Sequence, residues 1–230
     1  MKFDKLVKGV LRRRYKRFLA EIDVGDNTIV AHCPNPGSMS GSMTSGAAVW
    51  VSPANNPKRK LKWTWELVEA QGAMVCVNTG KANDLVAEAW EGKKLEELNT
   101  YTDMKREVKV SDKSRLDFKF SNDNESCVVE VKNVSMHLEK NIAAFPDSVT
   151  QRGTKHLLEL IELKEKGQDC ALLFLSTRND VDIVVPADHI DPVYGNTLRL
   201  AKSKGVSILG YTCHVSPEEI YVSRKIPIAL

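Results

Sequence analysis

Residues 114–132 read SRLDFKF, SNDNES and CVVEVK. Two apolar-rich runs enclose a short cluster of turn formers, the pattern of an antiparallel hairpin. Alternate residues of a strand share a face, so Arg115, Asp117 and Lys119 form one row and Leu116, Phe118 and Phe120 the other. On the second strand Glu130 and Lys132 share a face, and Val129 and Val131 lie on the opposite one. A loop centred between Asp123 and Asn124 sets Asp117 opposite Glu130 and Arg115 opposite Lys132, with Cβ atoms about 4.5–5.5 Å apart. Two carboxylates that close repel and raise one pKa unless a cation lies between them. Hard oxygen donors suit Mg²⁺ or Mn²⁺ rather than zinc. The pattern therefore predicts a metal site with a lysine beside it. The competing reading is a structural ion pair on a half-exposed strand.

The triplet Glu-x-Lys alone is weak, because it recurs at Glu91–Lys93, Glu107–Lys109 and Glu162–Lys164 in a chain that is 27% charged. Glu130–Lys132 differs in context. It follows CVV, an apolar run typical of a central strand, where an unpaired charge is costly.

The chain has 230 residues and is 42% hydrophobic, enough for one large domain or two small ones, each with a core. Apolar runs fall well short of the about 18 residues of a membrane span, and the basic N-terminus lacks the apolar stretch of a signal peptide. No membrane partner is expected. The five cysteines are odd in number and scattered through strand-like runs. They read as reduced core residues of a cytoplasmic protein without disulfides. No cysteine or histidine pair has zinc-ligand spacing.

A net charge of +3 hides an asymmetry. Residues 1–20 hold eight Lys/Arg against one acid, leaving 25 basic and 29 acidic residues in the rest. Arg12, Arg13, Arg14, Lys16 and Arg17, interleaved with Tyr15 and Phe18, point to a polyanion: phosphate contacts from the cations and base stacking from the rings.

Five strands are expected at 18–24, 28–32, 46–51, 61–67 and 73–77, separated by turn signals. They suggest a five-stranded oligonucleotide-binding-like (OB-like) β-barrel over residues 1–80, with Trp63 and Trp65 more often core than ligand platform. The pattern changes at Lys81. A helix capped by Asn83, a strand at 105–110, the hairpin, a helix at 148–166, strands at 170–175 and 181–185, a helix at 190–204 and a last strand at 206–212 describe an α/β domain over 81–230. Gln151, Arg152, Lys155 and His156 cluster in the first turns of the second helix, and His156 is not assigned as a base.

Read together, RRRYKRFLA at 12–20, AHCPNPGSM at 31–39, SRLDF at 114–118, VEVKNV at 129–134 and FPDSVTQRGTKHLLEL at 145–160 resemble the sugar fermentation stimulation protein A family over essentially the whole chain. Pro36 departs from the family pattern, which favours Thr there, and an altered loop is expected. The resemblance implies sequence-nonspecific DNA binding linked to sugar, notably maltose, metabolism. It also implies a mixed α/β chain: an OB-like barrel followed by a PD-(D/E)xK restriction-endonuclease-like αβββαβ domain. In that nuclease pattern the helix acid matches Glu88, the strand aspartate Asp117, and the E-x-K pair Glu130 and Lys132. Asp117, Glu130 and Glu88 would then hold Mg²⁺ (or Mn²⁺), with Gln151, Arg152 and Lys155 on the phosphate of DNA, or of RNA. Two readings stay open: a Mg²⁺-dependent phosphodiesterase, and a catalytically silent DNA-binding regulatory protein.

Overall fold

The computed structural model describes residues 1–39, 41–111 and 114–230. Ser40, inside the loop expected at 33–46, lies outside the described residues.

The arginine run is itself a strand. In β1 (Val7–Tyr15) Gly9 and Leu11 turn inward while Lys8, Val10 and Arg12 face out, so the two-residue period is present beneath the charges. It pairs antiparallel with β2 (Leu19–Val24) and with β4 (Ala48–Pro53), and β2 pairs with β3 (Asn27–His32). β5 (Trp63–Ala70) lies beside β4, and parallel pairing of Ala31 with Trp63 and His32 with Thr64 joins β3 to β5. That last contact closes a barrel of five strands. Leu11, Ala20, Ile22, Ala31, Val51, Trp65 and Val68 fill it. A Cβ on Gly9 would fall 2.6 Å from the carbonyl oxygen of Asp23, so a side chain has no room where β1 crosses β2.

The five barrel strands are not the five expected. β1 enters the closure, and β6 (Ala73–Cys76) hangs outside it on β5. The free edge of β6 is turned to the second domain. Cys76 N–H donates to the carbonyl of Thr177 at 2.9 Å, and Thr177 Oγ1 donates back to the carbonyl of Cys76 at 3.0 Å. Trp50, Leu67 and Cys76 on the barrel's outer wall join one apolar cluster with Phe118, Leu173 and Tyr211 of the second domain.

That domain begins with α1 (Ala82–Glu91). Asn83 does not cap it: Asn78 caps the short turn ahead of it, and the helix is already under way at Ala82. Strands β7 (Asp103–Ser111), β8 (Ser114–Ser121) and β9 (Ser126–Val134) follow, in the register the hairpin reading requires. Phe118 faces Val129, Lys119 faces Val128 and Phe120 faces Cys127, so the same register carried one residue further sets Asp117 opposite Glu130. Two short strands come next, β10 (Met136–Glu139) and β11 (Ile142–Phe145), and then α2 (Gln151–Glu165). Thr150 caps α2, its Oγ1 accepting from Gly153 N–H at 3.0 Å, so the helix starts later than 148. β12 (Asp169–Ser176) is buried after its first residue, as a parallel strand covered on both faces must be. β13 (Ile183–Pro186), expected in the main sheet, instead pairs with β11 in a small sheet of its own. α3 (Pro192–Ser203) is capped by Asp191, with Pro192 in the first turn, where its missing N–H costs nothing. β14 (Ser207–Val215) is not the last strand, because β15 (Ile220–Lys225) returns antiparallel beside it.

The main sheet runs β15-β14-β12-β9-β8-β7, parallel at its centre and antiparallel at its edges. α1 packs on one face over Phe118, Val129 and Leu173. α2 and α3 pack on the other over Val128, Leu172 and Phe174. Each fully buried side chain of that size contributes about 1.5–3 kcal/mol. The mixed α/β expectation of an OB-like barrel followed by a sheet domain holds.

Candidate active site

Glu130 and Lys132 sit mid-sheet on β9, with β8 on one side and β12 on the other. Glu130 is 3% exposed. Its Oε1 accepts from Lys132 Nζ and from the ring Nδ1 of His156 on α2. Its Oε2 is buried without a hydrogen-bond partner among the described residues. Asp117 on β8 accepts from Asn83 Nδ2 through Oδ1 and from Val131 N–H through Oδ2, each at 2.8 Å. The aspartate thus takes the backbone donor that the hairpin ladder would otherwise use, which ties its carboxylate to the glutamate's strand.

The two carboxyls are pushed apart electrically. Burial, and then repulsion by Glu130, lifts Asp117 above the ordinary carboxylate range. Burial also acts to lift Glu130, but the His156 hydrogen bond and the Lys132 charge outweigh it and hold that carboxyl low. Glu130 therefore stays ionised, and Asp117 is the member that takes up a proton when no cation is near. Below them lies Tyr194, fully buried, its hydroxyl unpartnered and its pKa raised by burial and by the negative Glu130 and Asp191. Gly153 lets α2 settle there, since a Cβ at that position would come within 3.1 Å of the Tyr194 ring.

His156 is the participant that the sequence reading passed over. The signal was present: Gly153, His156, Leu157, Leu160 and Ile161 are the buried positions of α2, at helical spacing. A histidine on that inward stripe has to find a polar partner in the sheet.

Outside the pair, Arg115, Gln151, Arg152, Lys155 and His156 line a cleft of about 740 Å³. Arg152 is exposed and has no partner among the described residues, whereas Lys155 lies 3.6 Å from Glu159 on the next turn. Gln151, Arg152 and Lys155 thus stand together beside the carboxylates.

Two expectations need correction. Glu88 is not with Asp117 and Glu130: it is half exposed and ion-paired with the α-amino group of Met1 at 2.6 Å. The α1 residue that reaches the site is Asn83, because the helix face bearing Leu85, Val86 and Ala89 packs on the sheet and turns Glu88 outward. The arginine run is also less available than its count suggests. Arg12 pairs with Asp23 at 2.6 Å and Arg13 with Glu21 at 2.7 Å. Arg14 donates to the backbone carbonyls of Arg17, Asn35, Gly37 and Ser38. Lys16 and Arg17 form the β1–β2 turn with left-handed φ of 46° and 63°. Their side chains are the unpartnered cations of that run.

Among the described residues, no helix is long and apolar enough to cross a membrane, and the five cysteines are buried free thiols.

Comparison with known proteins assigns the lineage. The pattern described as the sugar fermentation stimulation protein RE domain matches residues 80–219, and that of the SfsA N-terminal OB domain matches 13–77. The chain belongs to the sugar fermentation stimulation protein family. This family member is 45% identical over 233 residues to the sugar fermentation stimulation protein homolog of Maricaulis maris, covering 100% of this chain and 99% of that one. It is 46% identical over 227 residues to the homolog of Geobacter metallireducens, covering 98% and 97%. A solved structure, Pyrococcus furiosus SfsA in complex with Ca²⁺, superposes with a TM-score of 0.92 at 24% identity, covering 100% of this chain and 98% of that one. That superposition shows that this family member shares the Pyrococcus protein's fold.

Proposed function

We propose that the protein binds nucleic acid, DNA or possible RNA substrates alike, and hydrolyses phosphodiester bonds with Mg²⁺ or Mn²⁺ held by Asp117 and Glu130. One observation carries this reading: a buried carboxylate pair, with Glu130 Oε2 unpartnered, stands beside a lysine at the wall of a cationic cleft. A donor set of carboxylate oxygens suits a hard divalent cation, and the Ca²⁺ of the Pyrococcus relative supports a cation site in this fold. What the cation supplies when bound is charge on the scissile phosphate and a more acidic water. Glu130, held ionised, is ready to ligate; Asp117 gives up its proton to do so. Lys132 Nζ, pinned between Glu130 and His156, offers its charge to the oxygens that become more negative as the bond breaks. His156 fixes Glu130 and so positions Lys132. Arg115, Gln151 and Arg152 hold the flanking phosphates. The link to sugar (maltose) metabolism comes through the family, and we place the protein in the cytoplasm, where its five free thiols stay reduced.

One observation favours the second reading, DNA binding without turnover. Among the described residues, no three His, Cys, Asp or Glu groups gather to hold a metal. A cleavage assay on single- and double-stranded DNA and RNA, with Mg²⁺ or Mn²⁺ and with EDTA, decides between them. Metal-dependent cutting that Lys132→Ala abolishes supports the enzyme. Tight binding with no cutting under any metal supports the silent regulator.

A further inference from the structure

Three of the stretches noted in the sequence meet away from the carboxylates. AHCPNPGSM supplies one wall of a cavity of about 370 Å³, FPDSVT the other, and Asn133 of VEVKNV part of its lining. The walls are locked together. Asp147 accepts from Met39 N–H at 3.0 Å and receives Ser38 Oγ on its backbone carbonyl at 2.7 Å. A Cβ on Gly37 would overlap the Asp147 carboxylate at 2.3 Å, so the close approach of the walls depends on that glycine.

Most of the polar lining is already engaged. Asn35 Oδ1 takes Gly37 N–H, Thr79 Oγ1 donates to the carbonyl of Pro34, and Thr150 Oγ1 caps α2. Asn133 is the exception: its amide nitrogen and oxygen are both buried, and neither has a partner among the described residues. Phe145 and Pro146 provide flat apolar surface, Val149 stands 70% exposed at the rim, and Arg17, unpartnered, also lines the opening. One donor and one acceptor in a single plane, between apolar walls, with a cation at the rim, match one edge of a nucleobase with its phosphate outside. A sugar, with hydroxyls all round, would leave most of its polar groups unmet here.

Resting on the nucleic-acid reading above, we propose that this cavity receives one unpaired nucleobase of the bound strand. Asn133 follows Lys132 directly on β9, so a base seated here sets the neighbouring phosphates along the catalytic strand. The protein would then prefer frayed, overhanging or single-stranded ends to blunt duplex.

The test is fluorescence anisotropy in EDTA, with three probes: a blunt duplex, the same duplex with one unpaired adenine overhang, and that overhang made abasic. Wild type should bind the adenine overhang about tenfold more tightly than the blunt end, with the abasic probe near the blunt value. Asn133→Leu should erase that preference, with its melting curve checked against wild type. Arg17→Ala, at an exposed turn, should weaken the overhang complex even if the Asn133 variant does not fold. Equal affinity for adenine and abasic overhangs would overturn the base pocket while leaving nucleic-acid binding intact. Failure to bind any of the three probes would overturn the nucleic-acid reading and this inference with it.

Discussion

The hairpin at 114–132 and the arginine run at 12–17 both place charge on a β-strand, with opposite results. The hairpin has few charges, but they are drawn inward and share too few partners: Glu130 Oε2 has none, and Asp117 is lifted toward protonation. The arginine run has many, yet Arg12, Arg13 and Arg14 are taken up by Asp23, Glu21 and a row of carbonyls. Charge density in a sequence therefore does not measure readiness to bind. What matters is whether neighbouring strands bring compensating groups, and a residue count along one strand does not show them.

The contrast can be broken at its strongest point first. Glu130→Ala should cost about 3–5 kcal/mol, because Lys132 and His156 are left as buried donors without their acceptor. Urea unfolding measures it, and a change within error would mean the cluster is wetter than its burial shows. Next, Arg14→Ala should lose about 1.5–3 kcal/mol, since a charged donor serving several carbonyls holds the 35–38 loop. If it weakens nucleic-acid binding while melting normally, Arg14 belongs to the binding surface and the division drawn above fails.

Asp117→Asn should change stability little and in a pH-dependent way. The fold raises the Asp117 pKa above its usual 3.8, so the native state holds that proton longer than the unfolded chain. Wild type then loses stability as pH rises from that value through the raised one, and the asparagine does not. Against this, an amide can accept from only one of Asn83 and Val131, which costs about 1 kcal/mol. The difference between mutant and wild type should drift in the mutant's favour between acid and neutral pH. Thermal melts with and without Mg²⁺ should show a magnesium shift in the wild type alone. A parallel pH course for the two proteins would remove the carboxylate repulsion from the account. The smallest effect is expected for Arg12 and Arg13 changed together to Ala: an unaltered melting temperature and a barely altered salt slope of nucleic-acid binding. A slope flattened by about 0.9 per residue would restore the arginine run as a phosphate contact.

The hairpin register could be read from sequence because SNDNES fixes the turn and the strands alternate on either side of it. β1 could not, because Arg12–Arg14 overwrite a two-residue period carried by a glycine and one leucine. β6 looked like a barrel strand because its sequence is apolar on both faces. Its second neighbour, Thr177, is about a hundred residues away, and no local pattern names it. Among the site residues, Asp117, Glu130 and Lys132 followed from alternation alone. Glu88 was misplaced because a boundary position on a helix turns away with a small rotation. Asn83 was read as a cap when its side chain is spent on Asp117. His156 needed only its place on the inward stripe of α2 to be taken seriously.

The seam along β6 has one more consequence. Trp50, Leu67 and Cys76 belong to the same apolar cluster as Phe118 and Tyr211, so each half of the chain completes the other's interior. A gene fragment ending after the barrel would encode a protein with a bare hydrophobic flank and an unpaired strand edge, a surface prone to self-association. The second half alone would lack the cover over its sheet. Such a pair is inherited whole: neither half is a free-standing cassette that recombination could move into another protein, and both are held to one rate of change wherever they touch.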